Sequence, residues 1–374
     1  MNTLVYYTTL ALYLVINVLF VEKYAARVTD YHLLFSLAYL LGAYLSINII
    51  LKKVATSFLS TKWLICVGFL FICIALGIQY KINPLTIQVD RWSAIHNFLV
   101  NLFQGNYPYG SSTHLGGYGS PFPVWQMFHI PFYLVGNVGL SIIIVTIAFI
   151  ATLYFCHSDK LACVVTILLG ISPAFWYEIA VRSDLITNIL FVTIIAEWLV
   201  YKEVRLNNHV ISLGIMAGLI LSTRFIAIIP IWLLYGHELL KIGWEKQVVL
   251  LLTTLATFGL TFLPFVFWEG STLLFFEYNP FVLQTRQGSW GVLFLFALIA
   301  ISTTIYIKGN AKYRMAYTGI LLTILVVMAF VEKMWQHNLW TELFSPAFDI
   351  TYLSVALPFY IENIGFSIVL EKNS

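Results

Sequence analysis

The chain has 374 residues, 60% of them hydrophobic and only 10% charged, with a mean hydropathy of +0.87 and a net charge of +3. A water-facing globular chain carries roughly 25% charged residues, so this composition excludes a soluble single domain. The charge is spread along the chain without a basic run, which excludes nucleic acid as an expected partner.

About 20 apolar residues cross a bilayer as a helix, and lipid enforces that helix because backbone polar groups find no water there. In chain order, the apolar segments predict spans at 3–21, 32–51 and 63–80. The start, MNTLVYY, has no basic stretch and no small-residue cleavage site, so it reads as a retained span. A long loop, 81–137, follows, and then spans at 138–156, 161–177 and 185–201. The stretch 209–238 is too long for one span and is interrupted by Ser222-Thr223-Arg224, which predicts short helices at 209–222 and 225–238. Spans at 248–267, 290–307, 315–331 and 351–369 complete about twelve crossings. The expected fold is therefore an all-α, polytopic transmembrane bundle of one membrane domain. Residues 1–62 are expected as an N-terminal helix pair ahead of a main domain at 63–374.

With the N-terminus inside, twelve of the 20 Lys and Arg residues fall in cytoplasmic segments, including Lys52, Lys160, Arg205, Lys246, Lys308 and Lys372. That bias sets the orientation and puts the long loops 81–137, 268–289 and 332–350 outside. The expected location is an integral protein of the plasma or inner membrane with its working surface on the extracytoplasmic side, since loops on a rigid scaffold carry function. Cys66, Cys73, Cys156 and Cys163 all lie in apolar segments and imply neither a disulfide frame nor a metal site. Gly214-x-x-x-Gly218 allows close helix packing, expected within the chain.

There are five aspartates, and Asp90, Asp184 and Asp349 sit where an outer loop meets a span. A carboxylate near hydrocarbon is costly to desolvate, so it marks a partner or a function. After Asp90, the residues Trp92, Ile95, Phe98, Leu99, Leu102 and Phe103 recur at helical spacing and predict an interfacial amphipathic helix. Gln104-Gly105-Asn106 ends it, Tyr107-Pro108-Tyr109 makes an extended turn, and Pro121-Phe122-Pro123 leads into a second interfacial helix around 124–135.

This order of elements resembles the first outer loop of GT-C-type integral membrane glycosyltransferases, the polyprenyl-phosphate-sugar-dependent, mannosyltransferase-like family. Arg182-Ser183-Asp184, the Gly214–Pro230 stretch with Leu221-Ser222-Thr223-Arg224, and Asp349-Ile350-Thr351-Tyr352 with Pro358 are similar to later segments of that family. The likeness spans roughly residues 63–370. It differs in placing the acidic residue after the third span, and in having Arg91 where many members carry a second acid.

The resemblance implies a hexosyl- or pentosyltransferase, inverting, with a catalytic outer loop at 81–137. It would use a lipid-phosphate sugar as co-substrate and a glycan, lipid or protein as acceptor. Asp90 would be the general base, and an arginine would stabilise the leaving phosphate. Arg224 comes first for that role, with Arg91, Arg182 and Arg286 behind it, while Tyr107, Tyr109 and His114 would line the sugar pocket, near Asp184, Asp349 and Tyr352. Two of these stay open: Arg224 could instead pair with Asp184, and His114 could be a plain loop residue. No cofactor or bound metal is expected. A transporter or flippase, a polysaccharide polymerase or ligase, and a non-catalytic scaffold are the competing classes.

Overall fold

The structure, a computed structural model, describes residues 3–51, 53, 59–286, 288–307, 311–337 and 349–370. Lys52, Lys308, Lys372 and most of the expected outer loop 332–350 lie outside the described residues. Elsewhere the chain is helical, and the one β-like feature among the described residues is an isolated antiparallel bridge from Ser112 to Tyr118.

Helix α1 (Thr3–Ala25) turns Tyr6, Leu10, Tyr13, Asn17 and Phe20 inward at helical spacing. It is woven into the main core. Tyr13 donates to the Leu168 carbonyl at 2.8 Å, and Asn17 Oδ1 accepts from Ser172 Oγ at 2.6 Å and from the Ala174 N–H at 3.1 Å. The next two helices, α2 (His32–Leu45) and α3 (Thr61–Lys81), bury little of their surface and present Leu33, Leu34, Phe69 and Leu70 outward, as lipid-facing helices do.

The long loop expected at 81–137 carries α4 (Arg91–Gln104), α5 (Pro123–Phe128) and α6 (Ile130–Leu134). Gly105, at φ +75°, ends α4 in the left-handed conformation that suits glycine. A helix is present where the interfacial one was expected, and Ile95, Phe98 and Leu99 are buried with Phe262 and Phe265 of a later helix. Full burial of such a side chain contributes about 2 kcal/mol, enough to seat the loop on the bundle. The second expected helix splits at His129 into α5 and α6.

Helix α7 (Leu140–Cys156) descends, and α8 (Asp159–Gly170) and α9 (Pro173–Ala180) return with a bend of 75° between them. The single span expected at 161–177 is thus broken. Proline at 173 forces the preceding residue out of the helical region, and Ser172, at ψ 103°, caps α9 by accepting from the Phe175 N–H. Helix α10 (Asp184–Tyr201) is the buried centre of the bundle. Helices α11 (Val210–Leu221) and α12 (Ile228–Leu239) are the expected short pair, separated at an extended Arg224 and a 3-10 turn at Phe225–Ala227.

Helix α13 (Trp244–Phe275) leaves helical geometry at Glu269. A side chain at Gly218 would lie 2.6 Å from the Thr254 carbonyl, and one at Gly214 would collide with Thr253, so the glycine pair packs α11 onto α13 within the chain. The short α14 (Pro280–Thr285), then α15 (Trp290–Ile307), α16 (Ala311–His337), a 3-10 segment at Ile350–Ala356 and α17 (Leu357–Leu370) complete the architecture. Among the described residues, eight helices are long and apolar enough to cross a membrane, or nine if α8 with α9 counts as one. Three further apolar helices, Leu140–Cys156, Val210–Leu221 and Phe225–Leu239, are shorter. A polytopic helical membrane protein follows from these.

Candidate functional site

At one end of the bundle a cavity of about 960 Å³ opens between the long first loop, the C-terminal end of α1, the α9–α10 corner, the α11–α12 break and α14. Asp90, Arg91, Asp184, Arg224, Arg286, Asp349 and Tyr352 all line it. Residues 259 positions apart in the sequence thus share one wall. The size lies within the range of small-molecule sites.

Asp90 is the N-cap residue of α4, yet its side chain does not cap the helix. Its Oδ2 instead accepts from Thr113 Oγ1 at 2.8 Å. Thr113 is held by its own tight turn: its N–H donates to the Gly117 carbonyl at 2.7 Å, and its hydroxyl accepts from the Gly117 N–H at 3.0 Å. The turn passes through Gly116 at φ +80°, and a Cβ on Gly117 would lie 2.9 Å from Asp90 Oδ2. Glycine here gives the carboxylate its room. The Asp90 Oδ1 takes no hydrogen bond among the described residues, so one oxygen is oriented and the other is available to a ligand.

Arg91 points the other way and is nearly buried. Its Nη2 donates to Asp349 Oδ2 at 2.9 Å and to Thr351 Oγ1, and its Nη1 donates to Ser183 Oγ at 2.9 Å and faces Glu178 Oε2 at 3.4 Å. Burial works against the guanidinium charge, but the carboxylates of Asp349 and Glu178 outweigh it and raise the pKa of Arg91 above its ordinary value. The residue cross-links α4 to α9, α10 and the 3-10 segment, and its charge is already matched.

Arg224 is matched as well. Its Nη2 donates to Asp184 Oδ2 and its Nη1 to Ser120 Oγ at 3.2 Å. The break around it is tied to the outer loop by main-chain bonds from Phe122 N–H to the Thr223 carbonyl and from Val124 N–H to the Ser222 carbonyl. Gln284 of α14 adds a clamp, accepting from the Phe225 N–H at 2.8 Å and donating to the Ser120 carbonyl at 2.7 Å. Of the two openings for Arg224, the ion pair with Asp184 is the one the fold builds. Among the described residues, Asp184 Oδ1 and Arg224 Nε are buried without hydrogen-bond partners.

Four expected site residues lie off the cavity. Arg182, at φ +53°, donates to the carbonyls of Gln79 at 2.6 Å and Ile82 at 3.1 Å and stacks over Trp92, clamping the end of α3. Tyr109 is buried edge-on to Phe98 and Phe265, while Tyr107 meets Trp268. Burial pushes the Tyr107 phenol up to about 12, with Glu269 adding to the effect. His114 Nε2 donates to the Ile87 carbonyl at 3.1 Å, leaving Nδ1 to accept from Ser93 at 2.7 Å, so it braces the loop beneath Asp90. These side chains are drawn away from the cavity by apolar packing or by backbone carbonyls that need donors.

Other residues complete the wall. Lys23, Tyr24 and Arg27 come from the outer end of α1 and Tyr177 from α9. Tyr24 and Tyr177 stack at 4.3 Å, and Tyr118 and Tyr278 stack across the cavity mouth at 5.5 Å. The signal in the sequence was the Lys23-Tyr24 and Arg27 cluster directly after the first span. Arg27 lies over the Tyr24 ring and Arg286 is exposed, and among the described residues neither forms a salt bridge. No group of three or more His, Cys, Asp or Glu side chains is placed to hold a metal among the described residues. Set against protein-family models, curated proteins and solved structures, the chain matches none.

Proposed function

We propose that the chain is a GT-C-type membrane glycosyltransferase that moves a sugar from a polyprenyl-phosphate donor to a glycan, lipid or protein acceptor on the extracytoplasmic face of the plasma or inner membrane. The observation that carries this reading is Asp90: one carboxylate oxygen fixed by Thr113, the other unengaged, on the wall of a cavity rimmed by cations.

In this reading the unengaged oxygen takes the proton from an acceptor hydroxyl as that hydroxyl attacks the anomeric carbon. The bond from that carbon to the phosphate oxygen breaks, and the lipid phosphate leaves with the electron pair. A developing phosphate charge needs a positioned cation. Arg91 and Arg224 are neutralised by their own carboxylates, which favours Arg27 and Arg286 for that role. The stacked tyrosine pairs offer flat apolar faces to a sugar ring. Roughly twelve crossings with the N-terminus inside fit the short α7, α11 and α12 as crossings that are thin for a bilayer.

Mass spectrometry of surface glycans with and without the protein tests the activity. A glycan that disappears with the protein and returns with the wild type, but not with Asp90→Asn, is the expected result. Restoration by Asp90→Asn would remove the base. Labelling a cysteine placed at Ser112 with an impermeant reagent tests the orientation: reaction from the cytoplasmic side alone would end the proposal.

A further inference from the structure

A second cluster of titratable side chains stands far from the cavity. Glu197 follows Asp184 by thirteen residues on α10, which at about 1.5 Å per residue puts it roughly 20 Å along the helix axis. It is 3% exposed, and its Oε2 meets His157 Nε2 at 2.5 Å. His157 follows α7, rests edge-on to Phe366 and keeps 25% of its side chain exposed. From α17 comes Glu362, fully buried, with neither oxygen meeting a hydrogen-bond donor among the described residues. His157 ties the two helices together, meeting Glu197 on α10 and packing on Phe366, one turn beyond Glu362 on α17.

Charge bookkeeping leaves little freedom. An ionised carboxylate without donors in a dry interior is strongly disfavoured. Two carboxyl groups that face one another cannot both ionise and make a hydrogen bond only when one carries a proton. Among the described residues no cation bonds to Glu362. Helix α8 brings Asp159, Lys160 and Cys163, α7 ends at Cys156, and Lys202 after α10 lies over the rings of Trp198 and Tyr201. Helix α12 ends in His237 and Glu238, the latter engaged by Arg205. Helices α1 and α16 contribute hydroxyls, Thr9 to Asn363 and Thr323 to Tyr360, and the buried Arg314 of α16 donates to the Leu234 carbonyl.

We propose that Glu197 and Glu362 form a proton-binding site, with one proton held between the two carboxyl groups and exchanged with water through His157. The site is independent of the glycosyltransferase reading. It places a titratable element between α10, whose other end reaches the cavity, and α17, which follows the 3-10 segment that lines the cavity through Tyr352.

Infrared spectroscopy of the full-length protein in lipid nanodiscs tests it. The wild type at neutral pH should show the carbonyl stretch of a protonated carboxylic acid, shifted in D2O. Glu362→Gln should remove that band, and Glu197→Gln should shift its frequency by deleting the partner. Gln imitates the neutral acid, so Glu362→Gln should keep the wild-type melting temperature. Absence of the band at neutral pH, or a band unmoved by both substitutions, would overturn the proposal. So would a wild-type melting temperature that rises with sodium at fixed pH and loses that dependence in Glu362→Gln, because the bound species would then be a metal cation.

Discussion

Helices α10 and α15 are equal in length and both apolar, yet 67% of the first is buried within the protein and only 11% of the second. Helix α15 carries no charged residue, and its Ser302, Thr303 and Thr304 hydroxyls satisfy themselves on carbonyls one turn back. Helix α10 instead carries Asp184, Asn188 and Glu197, all buried. In a chain solvated by lipid, apolar side chains suit either surrounding. The polar minority decides which helix faces protein, because lipid offers a carboxylate no partner.

That contrast can be broken or sharpened by substitution. The largest expected effect is at the cavity end of α4: Asp90→Asn should cut sugar transfer by about 10²–10⁴-fold, the range for losing a general base, with an unchanged melting temperature. A fall in stability of the same size would recast Asp90 as a structural residue. Its neighbour should behave oppositely. Arg91→Met strands the carboxylates of Asp349 and Glu178 and should destabilise the protein by about 3–5 kcal/mol, read by thermal unfolding in detergent.

Core truncation on the two compared helices comes next. Ile189→Ala on α10, where the side chain is fully buried, should cost about 2–5 kcal/mol. Leu298→Ala on α15, 47% exposed, should stay within about 0.5 kcal/mol, as for surface sites generally. Equal costs would mean that α15 is covered by protein.

His129, between α5 and α6, supplies a pH test. Burial lowers its pKa to about 4 from 6.5. Its Nδ1 donates to the Trp125 carbonyl at 2.8 Å and its Nε2 accepts from Ser141 at 3.1 Å, so the neutral ring is fully bonded. The unfolded chain binds this proton first, so the contribution is present above pH 6.5 and is lost as pH falls towards 4. At roughly 1.4 kcal/mol per pKa unit, the loss is at most about 3.5 kcal/mol. His129→Gln should flatten the melting temperature across that window, and an unchanged slope would remove His129 as the source.

Much was legible in the chain itself. Hydropathy dictated a helical membrane protein, because an uninterrupted apolar run of about 20 residues satisfies its backbone in lipid as a helix, whereas barrel strands are shorter and alternate in polarity. The Ser-Thr-Arg interruption dictated the break at Arg224, and the Gly105 stop dictated the end of α4. The span expected at 161–177 failed at Pro173, whose steric effect on Ser172 was readable but outweighed by the apolar run.

What the sequence could not decide was which side chains meet. Asp90, Arg224 and Asp349 are far apart in the chain, and their sharing of a cavity depends on how α1, α10 and the outer loop pack. Helical spacing marked Phe98 and Leu99 as one apolar face but did not say whether lipid or α13 covers it, since both bury hydrocarbon equally well. Arg182 and Arg224 looked alike as intramembrane-edge cations. Tertiary contacts gave one to backbone carbonyls and the other to Asp184, because a buried donor takes whichever acceptor the packed helices bring within reach.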